Sequence, residues 1–317
     1  MAHGMKSKGL ICCILVASLF CASFADNKVT NLTMIVIGSA KLAETDDSFV
    51  CGTLDWWPRT KCDFGRCSWG EAGILNLDLD NKILVNAVKA FVNLRIRVGG
   101  SLQDQVVYKV GTFHENCSDF KLKDGGLFGF STGCLDMKRW DLMNKFFNET
   151  GAVITFGLNA LNGRNKSTSN DTLMVGAWNY TNALEFMSYT ASKGYKIDSY
   201  ELGPNVVDGV TYHVYNLGPG DHDLDVLKNV LDPDVVEGAN NTYYNIKTDI
   251  QSFGSRPWVS ESGGAWSSGS KNVSRTFANG FCALLWHRLM GKKVLFAYHV
   301  GSKYLRVYAH CSKNNNV

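Results

Sequence analysis

The stretch "IDSYELGPNVVDGVTYHVYNLGPG", residues 197–220, decides how the chain is read. Two strand-like runs, residues 197–203 and 206–215, stand almost end to end, with only Pro204 and Asn205 between them. Consecutive parallel strands need a crossover of about a dozen residues, and none is present here. Two readings are open. Either Pro204-Asn205 turns an antiparallel hairpin, which is reasonable turn chemistry, or an alternating fold has lost a piece at this point.

The flanks favour alternation. "KVTNLTMIVIG" and "FVCGTLDWW" read as strands, the second ending in Asp55. "NKILVNAVKAFV" has helical spacing of apolar residues and leads into the strand "LRIRVGG". "MKRWDLMNKFFNETG" reads as a helix stopped by Gly151, and the strand "AVITFGLNA" comes next. "TNALEFMSYTASKGY" is helical before "IDSYELG"; "DLDVLKNVLD" and "YYNIKTDIQSF" are helical before the strand "PWVSESGG". "RTFANGFCALLWHRLMG" is helical throughout, and "KVLFAYHV" with "KYLRVYAHC" closes the chain as a hairpin-like pair. This rhythm predicts an α/β fold with a parallel sheet and helices outside it. Polar residues gather where strands end, at Asp55, Asn159, Glu201, His213 and Glu261, which is the habit of a (β/α) barrel. A doubly wound sheet is the rival, but no G-x-G-x-x-G or Walker loop follows any strand. A second break occurs where the helical "TFANGF" runs into the helical "CALLWHRLMG" with no strand between. Six parallel strands can be counted where a TIM-type barrel has eight.

The chain has 317 residues, 45% of them apolar, and a net charge of +3. It is long enough for a large core, and its weak charge, without any Lys/Arg block, argues against a nucleic-acid partner. Lys6 and Lys8 precede "LICCILVASLFCASF", which fits a signal peptide over residues 1–25 with Asp26 starting the mature chain. An uncleaved anchor is the alternative, disfavoured by length, and no later stretch is apolar enough to span a bilayer. Seven cysteines remain beyond the signal, so at least one lacks an intramolecular partner; Cys62 and Cys67 could bridge a loop. Their spacing is wrong for a zinc site. Asn31, Asn116, Asn148, Asn165, Asn170, Asn179, Asn240 and Asn272 each begin an N-x-S/T sequon, which supports a glycosylated protein of the secretory pathway.

Glu261, in "WVSESGGAW", closes a strand before Gly263 and Gly264. A carboxylate so placed can serve as nucleophile or base, and the glycines would let a substrate approach the backbone. Six motifs, "TLDWWPRTKCDFGRCSWG", "LRIRVGGSLQDQVVY", "FGLNAL", "SKGYKIDSYELG", "DGVTYHVYNLGPG" and "SESGGAWSSG", occur in order over nearly the whole mature chain. Together they resemble the heparanase-like β-glucuronidases of plants, in glycoside hydrolase family 79. The resemblance implies a (β/α)8 barrel carrying a small β-sandwich, and retaining hydrolysis of a β-linked glucuronide by two carboxyls about 5–5.5 Å apart. It gives Glu261 the nucleophile's role. It makes Asp55 a substrate contact, sets His213 and Tyr215 beside the saccharide with Tyr215 near the nucleophile, and makes Asn159, Gly263 and Gly264 plausible lining. Arg95 and Arg97 could favour an acidic sugar or serve as structural ion-pair partners.

The same resemblance explains the opening stretch. The family's fourth barrel strand ends Trp-Glu-Leu-Gly-Asn-Glu, the last Glu being the proton donor. Here the match runs Tyr200, Glu201, Leu202, Gly203 and stops at Pro204 and Asn205. Beyond this junction the chain resembles family sequence from just before strand six. The acid/base is therefore missing, together with a helix and a strand, and the second break removes strand eight, as skipped exons or a faulty gene model would do. Glu201 lies four residues early, roughly 13 Å along a strand, and Asp208 matches no family role. The expected organisation is an incomplete (β/α)8 TIM-type barrel over residues 49–291. A strand in residues 26–48 and a truncated stretch over 292–317 form a β-sandwich remnant. The expected partner is a glucuronic-acid-containing polysaccharide or a glucuronide, with no cofactor and no metal. The expected location is the extracellular space or cell wall, the lysosome or vacuole, or the periphery of a membrane. A catalytically inactive secreted glycan-binding form, or one that does not fold stably, is the alternative.

Overall fold

The computed structural model describes residues 32–62, 67–113, 117–168, 174–202, 209–252, 256–266, 269–270, 274 and 277–313. The signal-peptide reading, Pro204, Asn205 and Asp208 lie outside the described residues. The chain divides into two units, residues 48–288 and a smaller one formed by residues up to 47 with those from 289 onward.

β1 (Thr33–Glu44) belongs to the smaller unit. The larger unit opens with β2 (Cys51–Asp55), helix α1 (Lys82–Phe91) and β3 (Arg95–Gly99). Two short strands, β4 (Val106–Lys109) and β5 (Gly133–Asp136), precede helix α2 (Met137–Thr150) and β6 (Val153–Gly157). A miniature ladder of β7 (Asn165–Lys166) and β8 (Met174–Val175) leads to helix α3 (Thr181–Ser192) and β9 (Ser199–Glu201). Then come β10 (Gly209–Tyr215), helices α4 (Asp223–Leu231) and α5 (Pro233–Ser252), β11 (Arg256–Gly263) and helix α6 (Phe277–Leu289). The smaller unit resumes with β12 (Met290–Val300) and β13 (Ala309–Ser312).

Local chemistry sets these limits. Asn81 caps α1 by accepting from the backbone N–H groups of Ile83 and Leu84 at 2.9 and 3.2 Å. Asp136 does the same for α2 through Lys138 N at 2.8 Å. Gly151 ends α2 in the left-handed region, at φ 70°, where a side chain would be strained.

In the larger unit β2, β3, β6 and β9 form one all-parallel sheet in that order. β10 and β11 form a separate parallel pair. Among the described residues β9 and β10 do not pair with each other, so the hairpin reading of residues 197–220 is not realised there. Among the described residues these six strands make two sheets and do not close into one barrel, and β4 and β5 form a third, separate parallel pair. The sheet is two-sided in character. Ile96, Val98, Ile154 and Phe156 are buried on one face, where Phe156 meets Trp140 of α2 and Phe186 of α3 at ring-centroid distances of 5.1 and 5.0 Å. The alternate positions on β3, β6 and β9 carry Arg95, Arg97, Thr155, Ser199 and Glu201, bonded to one another. In the smaller unit β1, β12 and β13 form an antiparallel sheet in that order. The expected closing pair is present as β12 and β13, with its second strand confined to four residues.

Candidate active site

β11 carries Glu261 at its C-terminal end, paired in parallel register with His213 of β10. The ladder slips by one residue just before this pair, since Tyr212 faces Val259 and His213 faces Glu261. Such a bulge re-aims a strand end and is common beside active sites. The backbone alone places Glu261, its side chain lying outside the described residues. Tyr215 pairs with Gly263, and its ring lies so near that a Cβ on Gly263 would stand 3.0 Å from Tyr215 Cε1. Leu217 crowds Gly264 in the same way, at 2.8 Å, while Leu217 N donates to Gly264 O at 2.6 Å. The two glycines therefore admit an aromatic ring and an apolar side chain against the backbone. On the outer side, Ser262 and Tyr243 of α5 share a 2.7 Å hydrogen bond. These contacts join Glu261, His213, Tyr215, Gly263 and Gly264 at one strand pair. His213 itself is solvent-exposed.

Asp55 and Asn159 stand at the ends of strands in the four-stranded sheet. Asp55 accepts from Trp57 Nε1 at 2.9 Å. Its carboxylate lies over Gly100, at φ 90°, where an added Cβ would come within 2.3 Å of Asp55 Oδ1. Asn159 is a scaffold residue. It is buried, its Nδ2 donates to Val106 O and its Oδ1 accepts from Leu161 N, both at 2.9 Å. Its backbone N donates to Tyr108 Oη at 3.1 Å, and its carbonyl accepts from Trp178 Nε1 at 2.8 Å. A group so engaged fixes the loop after β6 and has little left to offer a ligand.

The two strand arginines are paired inside the protein. Arg95 Nη1 reaches Asp198 Oδ2 at 2.7 Å and Thr155 Oγ1 at 3.0 Å. Arg97 Nε reaches Glu201 Oε2 at 2.6 Å, and Nη2 reaches Oε1 at 3.2 Å. Of the two roles open to them, the geometry is that of structural ion pairs. Glu201 is thereby held by Arg97.

Three residues of this end were not singled out from the sequence. Gln103, Asp104 and Arg164 follow β3 and β6 at the same strand ends. Asp104 Oδ1 accepts from Ala160 N at 2.8 Å. Burial, and secondarily the charge of Glu201, push its carboxyl above the usual aspartate range, against the opposing pull of the Ala160 hydrogen bond and Arg164. Gln103 Nε2 donates to Leu158 O at 3.2 Å, while its Oε1, like Arg164 Nε, is buried without a hydrogen-bond partner. The sequence signal was "GGSLQDQ", polar residues directly after a strand. A disulfide joins Cys117 to Cys134, a pairing that spacing did not suggest; Cys62 is also disulfide-bonded. Among the described residues, no group of three or more His, Cys, Asp or Glu side chains gathers as a metal site, and no helix is long and apolar enough to cross a membrane.

The profile "Glycosyl hydrolase family 79, N-terminal domain" matches residues 31–206 and 202–286. Heparanase-like protein 2 of Arabidopsis thaliana is 39% identical over 386 residues, covering 89% of this chain and 71% of the relative. Heparanase-like protein 1 of the same plant is 36% identical, covering 96% and 76%. Baicalin-beta-D-glucuronidase of Scutellaria baicalensis is 32% identical, covering 100% and 81%. A solved structure of a 4-O-alpha-L-rhamnosyl-beta-D-glucuronidase from Fusarium oxysporum 12S superposes with a TM-score of 0.44 at 12% identity, over 81% of this chain and 63% of that one. That superposition is too loose to carry weight.

Proposed function

Because the chain belongs to glycosyl hydrolase family 79, a family of enzymes that hydrolyse O-glycosyl bonds, we propose that it is a retaining β-glucuronidase-type chain that keeps its nucleophile, Glu261, and lacks its proton donor. The observation that carries this reading is the strand pair itself. Glu261 stands at the end of β11, in register with His213, with Tyr215 packed on the adjoining glycine. Glu261 would attack the anomeric carbon of a β-linked glucuronic acid as the C–O bond to the leaving group breaks, giving a glycosyl-enzyme that water then hydrolyses.

Three findings support the missing donor. The two profile matches meet at residues 202–206, the very junction where the family motif stops. The alignment with Heparanase-like protein 2 spans 386 residues, more than the 317 of this chain, so the relative carries segments that have no counterpart here. Glu201, the nearest carboxylate in that strand, is engaged with Arg97. Loss of the general acid slows turnover by about 10²–10⁴, which also supports a glycan-binding role for this form. The four parallel strands β2, β3, β6 and β9 and the pair β10–β11 are read as parts of an incomplete TIM-type barrel, and β1, β12 and β13 as a sandwich remnant. The Cys117–Cys134 disulfide and the exposure of the sequon residues Asn148, Asn165, Asn179 and Asn240 support a secretory compartment.

The test uses a dinitrophenyl β-glucuronide, whose leaving group departs without protonation. The purified chain should form a covalent glucuronyl adduct at Glu261, located by peptide mass, and Glu261→Gln should not. With an alkyl glucuronide, turnover should fall by the factor above relative to an intact relative. An adduct elsewhere, or full-rate turnover of the alkyl substrate, sinks the reading.

A further inference from the structure

Resting on the family reading above, we infer that Arg164 recognises the carboxylate of the acidic sugar. The turn that carries it is built to hold one position. Asn159 anchors its start through the four bonds already described, and Ala160 is tied to Asp104 at 2.8 Å. Asn162 and Asn179 clasp each other, Asn179 N donating to Asn162 O and Asn162 Nδ2 donating to Asn179 O, both at 2.8 Å. Gly163, at φ 81°, lies so close to Asn179 that an added Cβ would come within 2.7 Å of Asn179 Cβ. Arg164 N then closes the turn on Leu161 O at 2.9 Å.

The guanidinium at the end of this rigid turn has no bonded counterion. Arg59 pairs with Glu71, Arg95 with Asp198 and Arg97 with Glu201. Arg139 donates to the carbonyls of Ile74 and Leu77, and Arg288 to that of Ala90. Among the described residues, Arg164 has no hydrogen bond or ion pair from its side chain, and its Nε is buried. A half-buried guanidinium left unpaired is unfavourable, and the planar fork suits a carboxylate in two-point contact. Asp104 is the nearby carboxyl, and the Arg164 charge opposes the upward push of burial on it. Its carboxyl is turned to Ala160 and forms no bond to the arginine. Arg164 follows β6 at the end of the sheet where Asp55 also stands, so a sugar bound there would present its acid group to a preformed cation.

Isothermal titration with methyl β-D-glucuronide and the neutral methyl β-D-glucoside tests this on the full chain. The unaltered protein should prefer the glucuronide at least tenfold. Arg164→Gln should abolish that preference and leave glucoside affinity within about twofold, the retained glucoside binding reporting an intact fold; Arg164→Lys should keep part of it. If either variant binds the glucuronide with the full preference, the assignment of Arg164 falls and the glucuronidase reading stands. If the unaltered protein shows no preference, or binds neither sugar, both fall together.

Discussion

Arg97 and Glu201, separated by 104 positions in sequence, form a two-point ion pair across the parallel sheet at 2.6 and 3.2 Å. Their side chains are only 9% and 17% exposed. The pair joins β3 to β9 across β6. Removing one member strands a charge in a poorly solvated place. Arg97→Ala should therefore lower stability by about 3–5 kcal/mol, read as a shift of the denaturant midpoint. Arg97→Met with Glu201→Leu should recover most of that loss. Equal stability of the single and double variants would show that the pair contributes nothing.

Asp104 makes stability depend on pH in a definite direction. Its carboxyl is raised above the ordinary value of 3.8, chiefly by burial. The folded state then holds the proton more tightly than the unfolded one. The stabilisation is complete below the ordinary value and is lost as pH rises through the raised one. Asp104→Asn keeps an acceptor for Ala160 N and should flatten that decline, seen as a melting temperature that changes less over the acid range than in the parent protein. An unchanged slope would mean that Asp104 does not titrate differently on folding.

Gly100 sets the place of Asp55. With φ at 90° and Asp55 Oδ1 2.3 Å from an ideal Cβ, Gly100→Ala brings both backbone strain and a clash. It should destabilise by about 1–3 kcal/mol and weaken glucuronide binding more than Asn159→Ser does, as measured by calorimetry on each folded variant. Equal binding by parent and Gly100→Ala would remove Asp55 from the saccharide site.

The Cys117–Cys134 bridge closes a loop with a sequence separation of 17. Cys117→Ser with Cys134→Ser should cost about 3 kcal/mol in unfolding free energy. Dithiothreitol should lower the midpoint of the parent protein by more than that of the double variant, which no longer has this crosslink to lose. A parent and a double variant with the same midpoint under oxidising conditions would show that the bridge is dispensable.

The repeating pattern of apolar residues was enough to place the strands and helices around Asp55, Arg97, Phe156 and Glu201, because burial on one face leaves a local period of two or 3.6 in the chain. The motif order offered Glu261 as a nucleophile and a break after Gly203 as expectations. It also left Arg95 and Arg97 open between sugar recognition and ion pairing, treated Asn159 as lining, and passed over Asp104 and Arg164. Those outcomes depend on which polar group meets which across the sheet. Residues 198 and 201 reach back to Arg95 and Arg97 only once β3, β6 and β9 lie in register. Asn159 becomes saturated only when Tyr108, Val106 and Trp178 converge on it. A period records that a side chain is inside; its partner is a matter of register and distance between segments remote in sequence, and the folded chain alone decides it.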